Sequence, residues 1–174
     1  FMAKSKYPNG FTTKLLFSPE RRVTFPTGAV YIQSYLKKIG INVLPESLAF
    51  PTQLDICSKG DYGIALRDWI PFYPDPSETA AWFYNIRVDD SGWICSFWDN
   101  EDGKEAINNM EVAETLPDSS ERYKLYDETD ELAISKAIYV PLYQTASLVA
   151  ARDNIKNFSW QLNLGIRFDA IEKD

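Results

Sequence analysis

The sequence predicts an α/β fold, with a mostly parallel central sheet flanked by helices. Three observations predict it. A β-prone run at Thr13 to Phe17, a helical pattern opening at Pro26-Thr27 and an apolar run at Ile41 to Leu44 succeed one another as strand, helix, strand. A short helix from Pro51 to about Ser58 and a core strand from Tyr62 to Leu66 repeat the alternation. Strands joined through a helix are parallel neighbours with a right-handed crossover.

Each element has a local reason. Tyr7-Pro8-Asn9-Gly10-Phe11 is a turn centred on Asn-Gly. Ser18 to Arg22 is polar loop. In the first helix Thr27 is the expected cap, and Ala29, Ile32, Leu36 and Ile39 share one face with Tyr35 beside them. Lys37 and Lys38 suit its last turn, and Gly40 stops it. After Tyr62 to Leu66, the residues Pro71, Pro74 and Pro76 hold the backbone extended. Asp75 then caps a helix that has Pro76 first and Glu78 three residues after the cap.

In the second half, Ile86 to Asp90 is expected to be extended and Ser91 to Phe97 to be loop. A helix from Asp99-Asn100 runs to about Thr115, with Ile107, Met110 and Ala113 or Glu114 marking its faces. Pro117 interrupts. Asp118 caps the next helix, with Glu121 completing a capping box; it runs to about Lys136 with Leu125, Leu132 and Ala133 inward. Ala137 to Tyr143 is expected as a strand, irregular or at an edge because of Pro141. Ser147 to Ala151 and Phe158 to Lys173 are expected to be extended. No repeat or linker divides the chain, so residues 1–174 are expected to form a single domain.

Composition excludes several classes of function. A length of 174 residues suffices for one real core, and 45% hydrophobic with 25% charged residues is the balance of a globular protein. A net charge of −7 argues against nucleic acid or an anionic membrane surface as partner. No apolar run approaches the roughly 20 residues of a membrane span, and the opening F-M-A-K-S-K lacks the apolar core of a signal peptide. The chain has no histidine, which removes Ser-His-acid and Cys-His catalysis. It has no G-x-S-x-G elbow, Walker phosphate loop or G-x-G-x-x-G. Asp99-Asn100-Glu101-Asp102-Gly103 fails the spacing of a calcium loop and reads as a capped helix start. Carboxylate pairs such as Asp89-Asp90 are the remaining route to catalysis, of the glycoside kind. Cys57 and Cys95 form either one bridge or two separate buried thiols. No catalytic residue, cofactor or metal is therefore expected.

The segment from Tyr62 to Tyr84 is the better lead. A stiff loop after a parallel strand is where open α/β sheets place ligands. Trp69, Phe72 and Tyr73 either wedge between helix and sheet or leave a flat apolar face for an organic ligand. Arg67, near the end of the strand, is either a partner for an anionic ligand group or neutralised by Asp68 or Asp61.

Six blocks in order resemble the C-terminal lobe of family 5 extracellular solute-binding proteins, the receptors of ABC importers. Tyr7-Pro8-Asn9-Gly10-Phe11 is similar to that family's A-G-Y-P-N-G-F, and Tyr35 to Ile41 to its Q-L-x-K-I-G-I. Gly60-Asp61-Tyr62-Gly63 with Trp69 and Tyr73-Pro74-Asp75-Pro76 resembles G-x-Y-D…W-x-x-D-Y-P-D-P. Glu121 to Tyr126 resembles E-R-x-x-L-Y. Ile138 to Tyr143 with Ser147-Leu148-Val149 resembles I-P-L-Y…L-V, and Asn154 to Phe158 resembles V-K-G-F.

The resemblance implies a periplasmic-binding-protein-like (type II) lobe, one half of a two-lobed protein, without catalysis or cofactor. It implies a peptide or another small organic solute as ligand, a missing N-terminal lobe and an ABC permease as partners, and no nucleic acid. It implies an extracytoplasmic place, with the full-length protein membrane-anchored as a lipoprotein. The ligand contacts it implies are Arg67, Trp69, Phe72 and Tyr73. In many peptide-binding members an Asp three residues after the Trp anchors the peptide amine; here that position is Phe72, which has no charge to offer an ammonium. Alternatives are a transport-inactive receptor or signalling module of the same fold, and a carbohydrate-active enzyme.

Overall fold

The structure, a computed structural model, describes residues 2–83, 98–146, 148–161 and 165–174. These residues fall into two compact units. One comprises the chain up to Trp69, with Trp98 and Asp99; the other comprises Ile70 to Phe83 and the chain from Asn100 onward.

The first unit is the anticipated β-α-β-α-β succession: β1 (Phe11–Phe17), α1 (Phe25–Lys37), β2 (Ile41–Ser47), α2 (Phe50–Ser58) and β3 (Ile64–Ala65). The sheet has the order β2-β1-β3, and both pairings are parallel. Seven residue pairs join β1 to β2, from Phe11↔Ile41 to Phe17↔Ser47, so β2 runs through Pro45, which an edge strand tolerates. Leu15, Leu16 and Phe17 are consecutive and all buried, as expected of a central strand covered on both faces. Leu15 and Phe17 join Phe25, Ala29, Val43 and Leu66 in one core, with Ile32, Leu36, Ile41 and Ile64 packed at its margin. Leu15, Phe17, Phe25, Val43 and Leu66, at about 1.5–3 kcal/mol for each buried side chain, make this core the main source of the unit's stability.

Two turns meet at the sheet's amino edge. Gly10 has φ +87 and Gly40 has φ +85, values that only glycine adopts without strain. A β-carbon on Gly10 would stand 1.9 Å from the Gly40 carbonyl oxygen, so the close approach itself requires glycine.

Helix α1 departs from expectation in two respects. Thr24, not Thr27, is its capping residue, and it caps through its carbonyl, which accepts from Gly28 N at 2.9 Å. Placing Pro26 inside the first turn, where its missing N–H costs nothing, moves the start back. Of the expected inward face, Ala29, Ile32 and Leu36 pack on the core, while Ile39 and Tyr35 are 52% and 65% exposed. The helix has ended before Ile39, so the helical periodicity no longer governs where that side chain points.

The second unit contains α3 (Pro76–Phe83), α4 (Glu101–Thr115) and α5 (Ser120–Ser135). Asn100 caps α4, its side chain accepting from Gly103 N at 3.0 Å. Ala106, Ile107, Met110 and Ala113 are buried on α4, and Glu114 is exposed. On α5 the buried residues are Arg122, Tyr126, Thr129 and Ala133, with Leu125 and Leu132 half-buried. The four-residue connection between α4 and α5 makes the helices antiparallel neighbours, so that Lys136 after α5 meets Asp102 at the start of α4 at 2.8 Å. Ser119, not Asp118, caps α5, accepting from Arg122 N at 3.3 Å.

The expected strand from Ala137 to Tyr143 is not formed. Ala137 takes φ +56 and closes the last turn of α5, with Ile138 N donating to Ala133 O at 3.0 Å. Residues 139–146 then run without regular structure, and Val140, Leu142 and Tyr143 are exposed. The long extended run expected from Phe158 is divided into short pairs. β4 (Ile155–Lys156) pairs antiparallel with β7 (Glu172–Lys173), and β5 (Trp160–Gln161) with β6 (Gly165–Ile166). The expectations for Ile86 to Asp90, for Ser91 to Phe97 and for Cys95 lie outside the described residues; Cys57 is fully buried.

Candidate functional site

The carboxyl ends of β1 and β3 lie side by side, because β1 is central and both pairings are parallel. The chain leaving β1 carries Glu20, Arg21 and Arg22; the chain leaving β3 carries Arg67, Asp68 and Trp69. Gln53 of α2, fully buried, ties the two exits together, its amide donating to Leu66 O at 3.1 Å and to Leu16 O at 3.4 Å.

Asp68 sits at the centre of this edge. Arg21 approaches it in a fork, Nε to Oδ1 at 3.1 Å and Nη2 to Oδ2 at 3.4 Å, and Arg22 reaches Oδ2 at 3.0 Å. The Phe50 ring carries the Arg21 guanidinium at 4.7 Å and the Arg67 guanidinium at 5.9 Å. Both distances suit attraction between cation and ring face. Phe50 is placed by its own backbone N–H, which donates to Glu20 at 3.0 Å. Three guanidinium groups and two carboxylates therefore converge here. Arg67 falls in this group, and the carboxylate Asp68 is occupied by Arg21 and Arg22. Trp69 is half-buried at the end of the same segment.

Arg21 and Arg22 read in the sequence only as part of a polar loop. Arg21 and Asp68 are 47 residues apart, and only the parallel pairing of β1 with β3 brings them together.

Phe72 and Tyr73 belong to the second unit. They are 69% and 47% exposed, so neither is wedged into a core. Their loop is pinned just behind them. Asp75 N donates to Tyr73 O at 2.9 Å, and Asp75 Oδ1 accepts from Ser77 N at 2.9 Å, capping α3 as the Asp-Pro-Ser-Glu pattern implies. The same Oδ1 accepts from Arg122 Nη2 of α5 at 2.7 Å. The Arg122 bond holds the Asp75 carboxyl at about 2, below the ordinary 3.8, with the two Ser77 hydrogen bonds adding to the effect.

Among the described residues no cluster of three or more metal-ligating side chains occurs, and no helix is long and apolar enough to cross a membrane. The first place presents charged side chains around Asp68, and the second presents two exposed aromatic rings.

The chain belongs to the bacterial extracellular solute-binding proteins of family 5, whose middle region matches residues 1–89. It is 31% identical over 130 residues to the probable D,D-dipeptide-binding periplasmic protein DdpA of Escherichia coli (strain K12), a match that covers 75% of this chain and 25% of that protein. The ABC transporter-associated periplasmic binding protein DppA from Helicobacter pylori, in complex with the peptide STSA, superimposes with a TM-score of 0.79 at 26% identity. That match covers 99% of this chain and 33% of the other. A dipeptide binding protein from Pseudoalteromonas sp. SM9913, in complex with Met-Leu, shares the fold with a TM-score of 0.82 at 20% identity, over 99% of this chain and 34% of the other. The chain thus spans between a quarter and a third of the length of these relatives.

Proposed function

We propose that this chain is a lobe of an ABC-importer solute receptor that binds a peptide or another small organic solute without transforming it. The observation that carries the proposal is the carboxyl edge of the parallel sheet, where Arg21, Arg22 and Arg67 gather around Asp68 and the Phe50 ring. In a family of solute-binding proteins, a parallel strand's carboxyl end is the natural place for a ligand. Arg67, Trp69, Phe72 and Tyr73 are proposed as ligand contacts. Arg21 and Arg22 are proposed to join Arg67 in drawing an anionic group of the solute to the edge.

A second lobe, supplied by the rest of a longer protein, is proposed to close over the solute by hinge motion, and a membrane permease to receive it. The lengths of the relatives support this, as do the exposed Val140, Leu142, Leu148 and Val149, which are apolar side chains suited to a further surface. The same relationship supports an extracytoplasmic location, and membrane anchoring of the full-length protein is proposed with it.

The test is titration of the full-length protein with L-dipeptides, D-alanyl-D-alanine, sugars and metal chelates, followed by tryptophan fluorescence. A saturable change is expected. Phe72→Asp is expected to raise affinity for free-amine peptides about tenfold, since a carboxylate there would make a charge-assisted bond to the ammonium. Silence toward peptides, sugars and metal chelates alike would overturn the receptor reading; unchanged peptide affinity in the variant would overturn the role of Phe72.

A further inference from the structure

We infer that Arg122 is a positioning residue for the ligand-facing loop, acting through Asp75 to set where Phe72 and Tyr73 stand. The inference rests on the proposed role of those two rings and deepens it.

Arg122 lies in the first turn of α5 and is only 8% exposed, unusual for an arginine. Its backbone is fixed, because its N–H donates to the Ser119 cap. Its guanidinium is fixed as well: it lies 5.1 Å from the Tyr126 ring and 5.8 Å from the Tyr123 ring, and donates to Asp75 Oδ1 at 2.7 Å. Asp75 is the junction. Its side chain caps α3 through Ser77 N, its N–H holds the Tyr73 carbonyl, and its carbonyl accepts from Glu78 N at 3.3 Å. Ile70, Phe72 and Tyr73 ahead of it are all exposed, and the Asp75 N–H bond to the Tyr73 carbonyl ties the end of their loop to the junction.

A buried arginine stripped of its carboxylate is costly, and a carboxylate stripped of its arginine relaxes toward water. Either loss frees the anchor on which the two rings are mounted. The two helices and the loop are joined by one charge-assisted bond between residues 47 apart in sequence.

The test uses the full-length protein carrying Arg122→Met, Arg122→Lys or Asp75→Asn, with hydrogen exchange of the peptides spanning residues 70–79 as the first readout. Arg122→Met is expected to speed exchange there about fivefold or more relative to the rest of the protein, with Arg122→Lys intermediate. The milder Asp75→Asn, which keeps a side chain able to cap, supplies the readout if Arg122→Met fails to fold. Exchange that is unchanged, or raised uniformly over the chain, would overturn the inference. The second readout is L-alanyl-L-alanine affinity in a double-mutant cycle with Phe72→Ala. Phe72→Ala is expected to cost about tenfold alone and under about threefold in the Arg122→Met background. Additive losses would overturn positioning while leaving the receptor reading intact. A Phe72→Ala variant with unchanged affinity would instead overturn the role of Phe72 in binding, and the exchange result would then decide the Arg122 question alone.

Discussion

At the scale of single residues, Asp75 links structure to pH. Its carboxyl is held at about 2, against 3.8 when unperturbed, chiefly by the Arg122 bond. A depressed carboxylate contributes stability above its unfolded value and loses it as pH falls toward the folded value. The window is therefore about pH 4 down to about pH 2. With 31% of the Asp75 side chain open to solvent, screening limits the contribution to about 1 kcal/mol. Thermal unfolding of Arg122→Met should show a shallower decline than the parent across that window. The difference between the two proteins removes every contribution common to both. An identical acid slope in both would show that the pair carries no such stability.

At the scale of elements, the caps decide where helices begin. Ser119 holds the first turn of α5 through Arg122 N, so Ser119→Ala should lower stability by about 1 kcal/mol, while Asp118→Ala should change it by less than about half of that. Chemical denaturation of the two variants checks the order. The strand and helix pattern of the first unit was legible because strand runs, helical periodicity and the glycine and proline stops all agreed there. The cap of α5 was misplaced by one residue because Asp118 and Ser119 are both good capping types, and the choice between them depends on backbone geometry. The strand expected at Ala137 to Tyr143 failed for another reason. A β-prone run becomes a strand only against a partner, and the left-handed turn at Ala137 directs this one into an irregular course. Of the candidate site, the aromatic loop and the Asp75 cap were legible from local pattern. The Arg21–Asp68 and Arg122–Asp75 bonds were not, because each spans 47 residues and exists only through tertiary packing.

At the scale of the whole molecule, the proposed second lobe would give the exposed apolar side chains a surface to meet. Val140 is 70% exposed and Leu148 is 93% exposed, values costly in water for side chains of this kind. The chain expressed alone should therefore bind the dye ANS and self-associate at micromolar concentration, and the full-length protein should do neither. Equal dye binding by both would mean that this stretch remains open in the longer protein.

The glycine contact at the sheet's amino edge has a consequence for the opposite end. Gly10 cannot admit a side chain against the Gly40 carbonyl, and both turns hold positive φ, so they fix where β1 and β2 start counting. From there seven rungs lead to Phe17 and Ser47, and β1 then delivers Glu20, Arg21 and Arg22. The pair of strands is a ruler of about 23 Å with its zero mark locked in glycine. A single residue inserted in β1 could not be absorbed at the locked end. It would turn Leu15 and Phe17 away from their core or push the arginines past Asp68. The reach of those arginines is thus measured out from the far side of the sheet.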